Sequence, residues 1–171
     1  MPTKRKRPRV VLCATLTADG KLASVRHVWP TLYDEAAGIL EDLESALEWE
    51  PPEGAGKPTV MVNSELIAGW SLAERRKFLL DVLQKLRAGF PRTVLCLSGA
   101  ELFRALLEAG LADELCLLVR PVVDGRRGSA SLSGVGGAFF PASVACRLLR
   151  MEPLGDECLL HYRIKHRRHP G

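Results

Sequence analysis

The chain has 171 residues, of which 47% are apolar and 26% are charged, and its formal net charge is +4. This length and composition exclude a largely disordered chain and favour one globular domain with a sizeable core. No apolar run approaches the roughly 18 residues that a membrane span needs, and the short apolar run after the basic start lacks the form of a signal peptide. We therefore expect a cytoplasmic protein with no membrane partner.

The first apolar run of the chain, Arg9 to Leu16, is predicted as a buried strand, and Asp19-Gly20 as the turn that follows it. The stretch Thr31 to Trp49 has an apolar stripe at helical spacing and negative charge near its start. This pattern predicts a helix capped by Thr31.

The middle of the chain continues the alternation of strands and helices. Pro58 to Val62 is predicted as a short strand. Ser71 and Glu74 have the spacing of a capping box, which predicts the start of a helix that reaches about Ala88. Thr93 to Leu97 is predicted as the next short, buried strand.

The last third of the chain begins with a second capping-box pattern, Ser98 to Glu101, which predicts a helix closed by Gly110. Glu114 to Val123 is predicted as a strand, and Val144 to Met151 with Glu157 to Ile164 as a hairpin. The whole pattern predicts a single-domain α/β fold. Its sheet is mixed and mostly parallel, with flanking helices and a C-terminal antiparallel hairpin.

The positive charge is concentrated at the two ends of the sequence. The segment Lys4 to Arg9 carries five cations and no anion, and residues 165–168 carry three more. The other lysines and arginines are outnumbered by the 20 carboxylates, whereas a nucleic-acid-binding domain normally has its basic charge on the folded surface. We therefore do not expect nucleic acid as the partner. The predicted division is a basic flexible arm at residues 1–8, a folded domain at residues 9–165 and a basic flexible tail at residues 166–171.

The cysteines give no sign of a metal site or a redox motif. They are far apart and lie in apolar surroundings, at Cys13, Cys96, Cys116, Cys146 and Cys158. An odd number of unclustered cysteines is typical of reduced, buried thiols. We expect no bound metal.

Two positions at the carboxyl ends of predicted strands are candidates for ligand binding. At Ser98 to Glu101 a strand runs into a helix N-terminus, where free N–H groups favour an anion and Gly99 allows close approach. Structural capping is the alternative there, and we expect Gly99→Val to cost the fold only modestly. At the other position, Asp19 binds a ligand hydroxyl or shapes the turn. Trp29 covers a flat ring or packs in the core.

Three segments together resemble the reductase domain of bacterial and archaeal riboflavin biosynthesis, the RibD C-terminal domain, in the dihydrofolate-reductase-like superfamily. The start Arg7 to Leu12 and the turn Thr17 to Ala23 are similar to the family's Arg-Pro start and Asp-Gly-Lys turn. The segment Leu102 to Leu115 is similar to its helix and following strand, and Pro121 to Gly125 to its strand exit.

This resemblance implies a dihydrofolate-reductase-like fold, a homodimer and NADPH-dependent hydride transfer to a small substrate, as in 5-amino-6-(5-phosphoribosylamino)uracil reductase. It assigns no catalytic side chain. Gly99, Leu102 and Trp29 match positions that contact the cofactor in the family. Together with residues near these positions, the implied cofactor contacts are Thr15, Trp29, Ser98, Gly99, Ala100, Glu101 and Leu102. The implied substrate contacts are Asp19 and His27.

The chain also departs from the pattern of this family. Leu97 stands where the family usually has a glutamate, and Thr31 to Glu48 contains no arginine or lysine for a substrate phosphate. No Gly-x-Gly-Thr loop lies between Glu48 and Val60. These departures favour a second function, that of a non-catalytic relative that serves as a binding or assembly module.

Overall fold

A computed structural model describes residues 7–23, 28–43, 57–86, 93–97, 99–132 and 144–166. The strands in these ranges are β1 Arg9–Thr17, β2 Leu22–Ala23, β3 Ala36–Asp42, β4 Thr59–Val62, β5 Thr93–Cys96, β6 Glu114–Arg120, β7 Cys146–Leu154 and β8 Glu157–Ile164. The helices are α1 Pro30–Glu35, α2 Ser64–Ala68, α3 Leu72–Lys85 and α4 Ala100–Glu108.

The strands form one sheet in the order β4-β3-β5-β1-β6-β8-β7, with β2 paired to the end of β1. Five neighbouring strands of this sheet run parallel, namely β4, β3, β5, β1 and β6. β8 is antiparallel to both β6 and β7. This confirms the predicted single-domain, mixed and mostly parallel sheet with a C-terminal hairpin. The two hairpin strands join through a two-residue turn, where Gly155 has the positive φ of 64° that such turns favour.

The central strands are buried on both faces, as their uninterrupted apolar sequences predict. β1 lies between β5 and β6, and Val10, Leu95 and Leu118 are each at most 1% exposed. One face of the sheet packs against α2, α3 and α4. The other face packs against α1 and the residues just before it, where Trp29 and Tyr33 are buried.

The predicted helix from Thr31 to Trp49 is wrong. α1 begins at Pro30 and ends at Glu35, and its N-cap is Trp29 rather than Thr31. The chain then continues as β3, which pairs in parallel with β4 and β5. Residues 44–49 lie outside the described ranges. Residues 36–42 of the predicted helix therefore form an inner strand of the sheet, between β4 and β5.

Gly38 shows why the strand forms here. A Cβ at this position would lie 3.0 Å from Leu86 Cδ2 and 3.0 Å from the carbonyl oxygen of Pro58. β3 therefore packs closer to α3 and β4 than a larger residue allows. A short apolar run fits a buried strand as well as a buried helix segment, so its periodicity alone does not distinguish them.

The capping box at the start of α3 is confirmed. The Ser71 side chain accepts a hydrogen bond from the backbone N–H of Glu74, and the Glu74 carboxylate accepts one from the backbone N–H of Ser71 at 2.9 Å. No helix in the described part of the chain is long and apolar enough to span a membrane.

Candidate functional site

The carboxyl ends of β3 and β5 form the crevice where a ligand is expected in this topology. From β3 the chain moves to β4 at one side of the sheet, whereas from the neighbouring β5 it crosses through α4 to β6 at the other side. Ligands of open α/β sheets bind where such connections diverge. Asp42 lies at the β3 end of this crevice, and Leu97 and Gly99 lie at its β5 end. Thr17 lies at the carboxyl end of β1, the next strand of the sheet.

Gly99 is the N-cap of α4, and its backbone has φ +88° and ψ 111°. L-residues rarely adopt this conformation, so glycine is required here. Because glycine has no side chain, no side-chain cap is present, and the predicted capping box at Ser98 to Glu101 is wrong. Ser98 itself lies outside the described residues. The Glu101 carboxylate is half exposed and lies 3.6 Å from the Arg104 guanidinium instead.

Asp42, the last residue of β3, fills the space beside Gly99. A Cβ at Gly99 would lie 2.6 Å from Asp42 Cβ and 2.7 Å from its Oδ2. Asp42 is only 2% exposed, and its Oδ1 accepts a long hydrogen bond of 3.4 Å from the backbone N–H of Ser64 in α2. A buried carboxylate therefore lies against the glycine turn. This contact and the positive φ overturn the expected modest cost of Gly99→Val.

Of the other predicted cofactor contacts, Thr15 and Leu102 are fully buried. Thr15 lies within β1, paired with Ala23 of β2 and Leu118 of β6. Leu102 packs into the core between the sheet and the helices. These two positions support the fold beneath the crevice rather than line it. His27, a predicted substrate contact, lies outside the described residues.

Asp19 closes the turn after β1. Its carboxylate accepts hydrogen bonds from the Thr17 hydroxyl at 2.6 Å and from the backbone N–H groups of Asp124 and Gly125 at 3.0 and 2.9 Å. These bonds, the one from Thr17 foremost, hold the pKa of Asp19 well below its usual range. The carboxylate thus connects the β1–β2 turn to the segment after β6, and its described bonds match the turn-shaping alternative.

Trp29 packs in the core against the hairpin. It is 4% exposed, and its Nε1 donates a hydrogen bond of 3.0 Å to the Glu152 carboxylate. Its ring centroid lies 5.4 Å from that of His161, and the Arg150 guanidinium lies 4.7 Å above the ring. The indole therefore packs against two residues of the hairpin within the protein, in agreement with the core-packing alternative.

Residues 2–160 match the family model of the RibD C-terminal domain. The chain belongs to the RibD C-terminal domain family. None of the curated proteins matches this sequence.

The fold of this RibD C-terminal domain is similar to solved reductases. RibD of Acinetobacter baumannii is 16% identical with a TM-score of 0.64, and the match covers 94% of this chain and 59% of that one. The Thermotoga maritima diaminohydroxyphosphoribosylaminopyrimidine deaminase/5-amino-6-(5-phosphoribosylamino)uracil reductase is 16% identical with a TM-score of 0.65, covering 94% and 58%. The Saccharomyces cerevisiae riboflavin biosynthesis reductase is 14% identical with a TM-score of 0.60, covering 96% and 93%.

These similarities confirm the predicted dihydrofolate-reductase-like fold. The chain spans less than two thirds of the Acinetobacter and Thermotoga proteins. At such low identity, the likeness to solved structures concerns the fold alone.

Because β3 follows the first helix, the counterpart of the family's glycine loop is expected directly after Asp42, and not only between Glu48 and Val60. The strand that follows the first helix is β3, which ends at Asp42. The sequence after this end is acidic rather than glycine-rich. Residues 41–53 contain six carboxylates and no lysine or arginine, namely Glu41, Asp42, Glu44, Glu48, Glu50 and Glu53. In the described part of this segment, burial raises the pKa of Glu41.

The described residues meet one requirement of a cofactor phosphate and fail another. The left-handed turn at Gly99 and the start of α4 offer backbone N–H groups to an anion. The adjacent space holds the buried carboxyl group of Asp42. With Asp42 in this position, the described residues do not fit a phosphate of NADPH at the turn.

Sequence reasoning missed Asp42 because it placed this residue inside a helix, far from any strand end. The available signal was Gly38, since a glycine in a helix interior is unfavourable by about 1 kcal/mol relative to alanine. The run from Ala36 to Leu40 was equally compatible with a strand.

Proposed function

We propose that this chain is an NADPH-dependent reductase that transfers hydride to a small substrate, as 5-amino-6-(5-phosphoribosylamino)uracil reductase does. The observation that carries this proposal is the match to the family model over residues 2–160. In the proposal, the cofactor phosphate binds at the start of α4, at the crevice between β3 and β5, once the Asp42 side chain has moved away from Gly99. Bound nicotinamide supplies the hydride, and the protein's part is to position both ligands.

Charge at the carboxyl end of β3 bears on the substrate. The last two residues of this strand are the carboxylates Glu41 and Asp42, and the strand contains no lysine or arginine. Negative charge at this end of the sheet repels a phosphorylated ligand. The substrate in our proposal is therefore a small molecule with less negative charge than a ribose phosphate.

The second candidate function is a non-catalytic binding or assembly module. The specific observation in its favour is the Asp42 side chain, which fills the space beside Gly99. In this alternative the family scaffold is kept and the cofactor is not bound. The two candidates therefore differ in one measurable property, the affinity for NADPH.

A fluorescence titration of the full chain with NADPH distinguishes them. Saturable binding at micromolar NADPH that NADP⁺ competes away supports the reductase. No saturation up to millimolar NADPH contradicts it and supports the module. The Saccharomyces cerevisiae riboflavin biosynthesis reductase, whose fold this chain shares, is the reference protein for the assay.

A further inference from the structure

The contact between Asp42 and Gly99 brings together the ends of two neighbouring parallel strands. β3 and β5 pair in register, with Leu40 opposite Cys96, so both strands end at the same edge of the sheet. Asp42 follows Leu40 by two residues, and Gly99 follows Cys96 by three. The Asp42 carboxylate consequently lies beside the first residues of α4.

A helix N-terminus attracts negative charge because its first N–H groups have no partners within the helix. An aspartate carboxylate and a phosphate oxygen satisfy the same donors. Asp42 is 2% exposed, so its carboxylate lies inside the protein at this position rather than in solvent. The protein thus supplies its own anion where a ligand anion would otherwise bind.

We propose that Asp42 is an internal competitor of the cofactor's phosphate at the Gly99 turn, and that it sets the affinity of this site. This inference rests on the proposed reductase function, since it concerns the same crevice. Binding of a phosphate at the turn requires the Asp42 carboxylate to move away or to lose its charge. The hydrogen bond that Asp42 Oδ1 accepts from the backbone N–H of Ser64 is long, at 3.4 Å.

Glu101 is the other carboxylate near the turn, and its situation differs. Its side chain is half exposed and lies 3.6 Å from the Arg104 guanidinium. Water and Arg104 therefore screen its charge more effectively than they screen the charge of Asp42. Removal of the charge at Glu101 should have a smaller effect on a bound phosphate than its removal at Asp42.

The test compares the NADPH affinity of the wild-type chain with that of three variants. Asp42→Asn removes the charge and keeps the shape, whereas Asp42→Ser keeps a hydrogen-bond acceptor and leaves space for a phosphate. Asp34→Asn is the control, because it removes an exposed carboxylate before the amino end of β3, whereas Asp42 lies at the carboxyl end of this strand. We expect the two Asp42 variants to bind NADPH at least fivefold more tightly than wild type, with Asp42→Ser the tighter. Asp34→Asn should change the affinity by less than twofold.

A second readout does not depend on activity. In amide NMR spectra of the isotope-labelled chain, NADPH should shift the signals of Gly99 and Ala100 in the Asp42 variants. Thermal melts recorded on the same samples establish that each variant is folded. If Asp42→Asn fails to fold, Asp42→Ser supplies the comparison.

The outcomes separate this inference from the proposed function. If wild type does not bind NADPH and the Asp42 variants do, Asp42 is the competitor and the wild-type chain is not a reductase. If all chains bind with equal affinity, the reductase stands and the role of Asp42 is refuted. If no folded chain binds NADPH, both proposals are refuted.

Discussion

Arg7 and Asp113 form a bidentate ion pair across 106 positions of the sequence, with Nη1 to Oδ2 at 2.7 Å and Nη2 to Oδ1 at 3.1 Å. The same carboxylate accepts a hydrogen bond of 2.9 Å from the backbone N–H of Val10 and lies 3.2 Å from Nε2 of His166. Asp113 is 4% exposed. Residues near both ends of the chain therefore contact one buried carboxylate.

This contact predicts where the N-terminal arm can be shortened. Deletion of residues 1–6 should leave the melting temperature unchanged. Deletion of residues 1–8 should lower the unfolding free energy by about 1–3 kcal/mol, because it removes a charged partner of Asp113. Chemical denaturation of both truncated chains measures the difference, and Arg7→Gln in the full chain is the control for the loss of the guanidinium alone. Equal stability of the two truncated chains would show that the Arg7 contact contributes nothing.

Elements whose sequence pattern has one interpretation were predicted correctly. β1, β5 and β6 are apolar runs between turn signals, and their central position in the sheet agrees with their burial on both faces. The hairpin of β7 and β8 follows from two runs around Gly155 and Asp156. In each case, neighbouring residues in the chain contain the information that determines the structure.

The candidate site was less predictable because it depends on residues that are distant in sequence. The sequence marked Gly99 as a position of close approach, but Asp42, which lies there, is 57 positions earlier. Asp19 and Trp29 each have two interpretations in the sequence. Their described partners are far away in the chain and agree with the structural interpretation, since Asp19 bonds to the backbone of Gly125 after β6 and Trp29 to the Glu152 carboxylate of β7.

The second prediction concerns the acid sensitivity of the Glu114 contact. Oε2 of Glu114 lies 2.7 Å from Nε2 of His161, and Oε1 accepts a hydrogen bond of 3.2 Å from Arg9. Burial raises the pKa of Glu114. The His161 hydrogen bond and the charges of Arg9, His161 and Arg163 have a larger combined effect in the opposite direction, so the pKa of Glu114 is lowered. Its stabilising contribution is therefore present above its ordinary pKa of 4.5 and is lost as the pH falls through the lowered value.

Glu114→Gln should accordingly destabilise the protein by about 1–3 kcal/mol at neutral pH. It should also flatten the loss of stability on acidification below pH 4.5. Urea unfolding of the variant and wild type across this range tests both statements. Parallel stability curves for the two proteins would rule out the assigned role of Glu114.

The third prediction is that the chain forms a homodimer through β7. β7 is an edge strand, and its side chains Leu148 and Met151 are 50% and 61% exposed. Exposed apolar side chains on an edge strand are a typical contact between two copies of a chain. Met151→Lys should shift the wild-type dimer toward monomer in sedimentation velocity. Leu66→Lys is the control, because Leu66 is 70% exposed on α2, away from β7. A wild-type monomer at all concentrations would contradict the prediction.

The last prediction uses two glycines to measure how closely Asp42 packs against Gly99. Gly99 and Gly110 both have positive φ, +88° and +67°, but a Cβ at Gly110 meets nothing within 4 Å. Gly110→Ala should therefore cost only backbone strain, about 1–2 kcal/mol. Gly99→Ala should cost about 2–5 kcal/mol, since its Cβ also meets Asp42.

The double variant Gly99→Ala, Asp42→Gly isolates the contact. It removes the clash and retains the strain, so the two substitutions should be less destabilising together than the sum of their separate effects, by about 1–3 kcal/mol. Chemical denaturation of the four chains of this cycle, with Gly110→Ala beside them, measures the difference. If Gly99→Ala costs no more than Gly110→Ala and the cycle is additive, the Asp42 side chain does not lie against the turn. The start of α4 would then be open to a phosphate without any displacement.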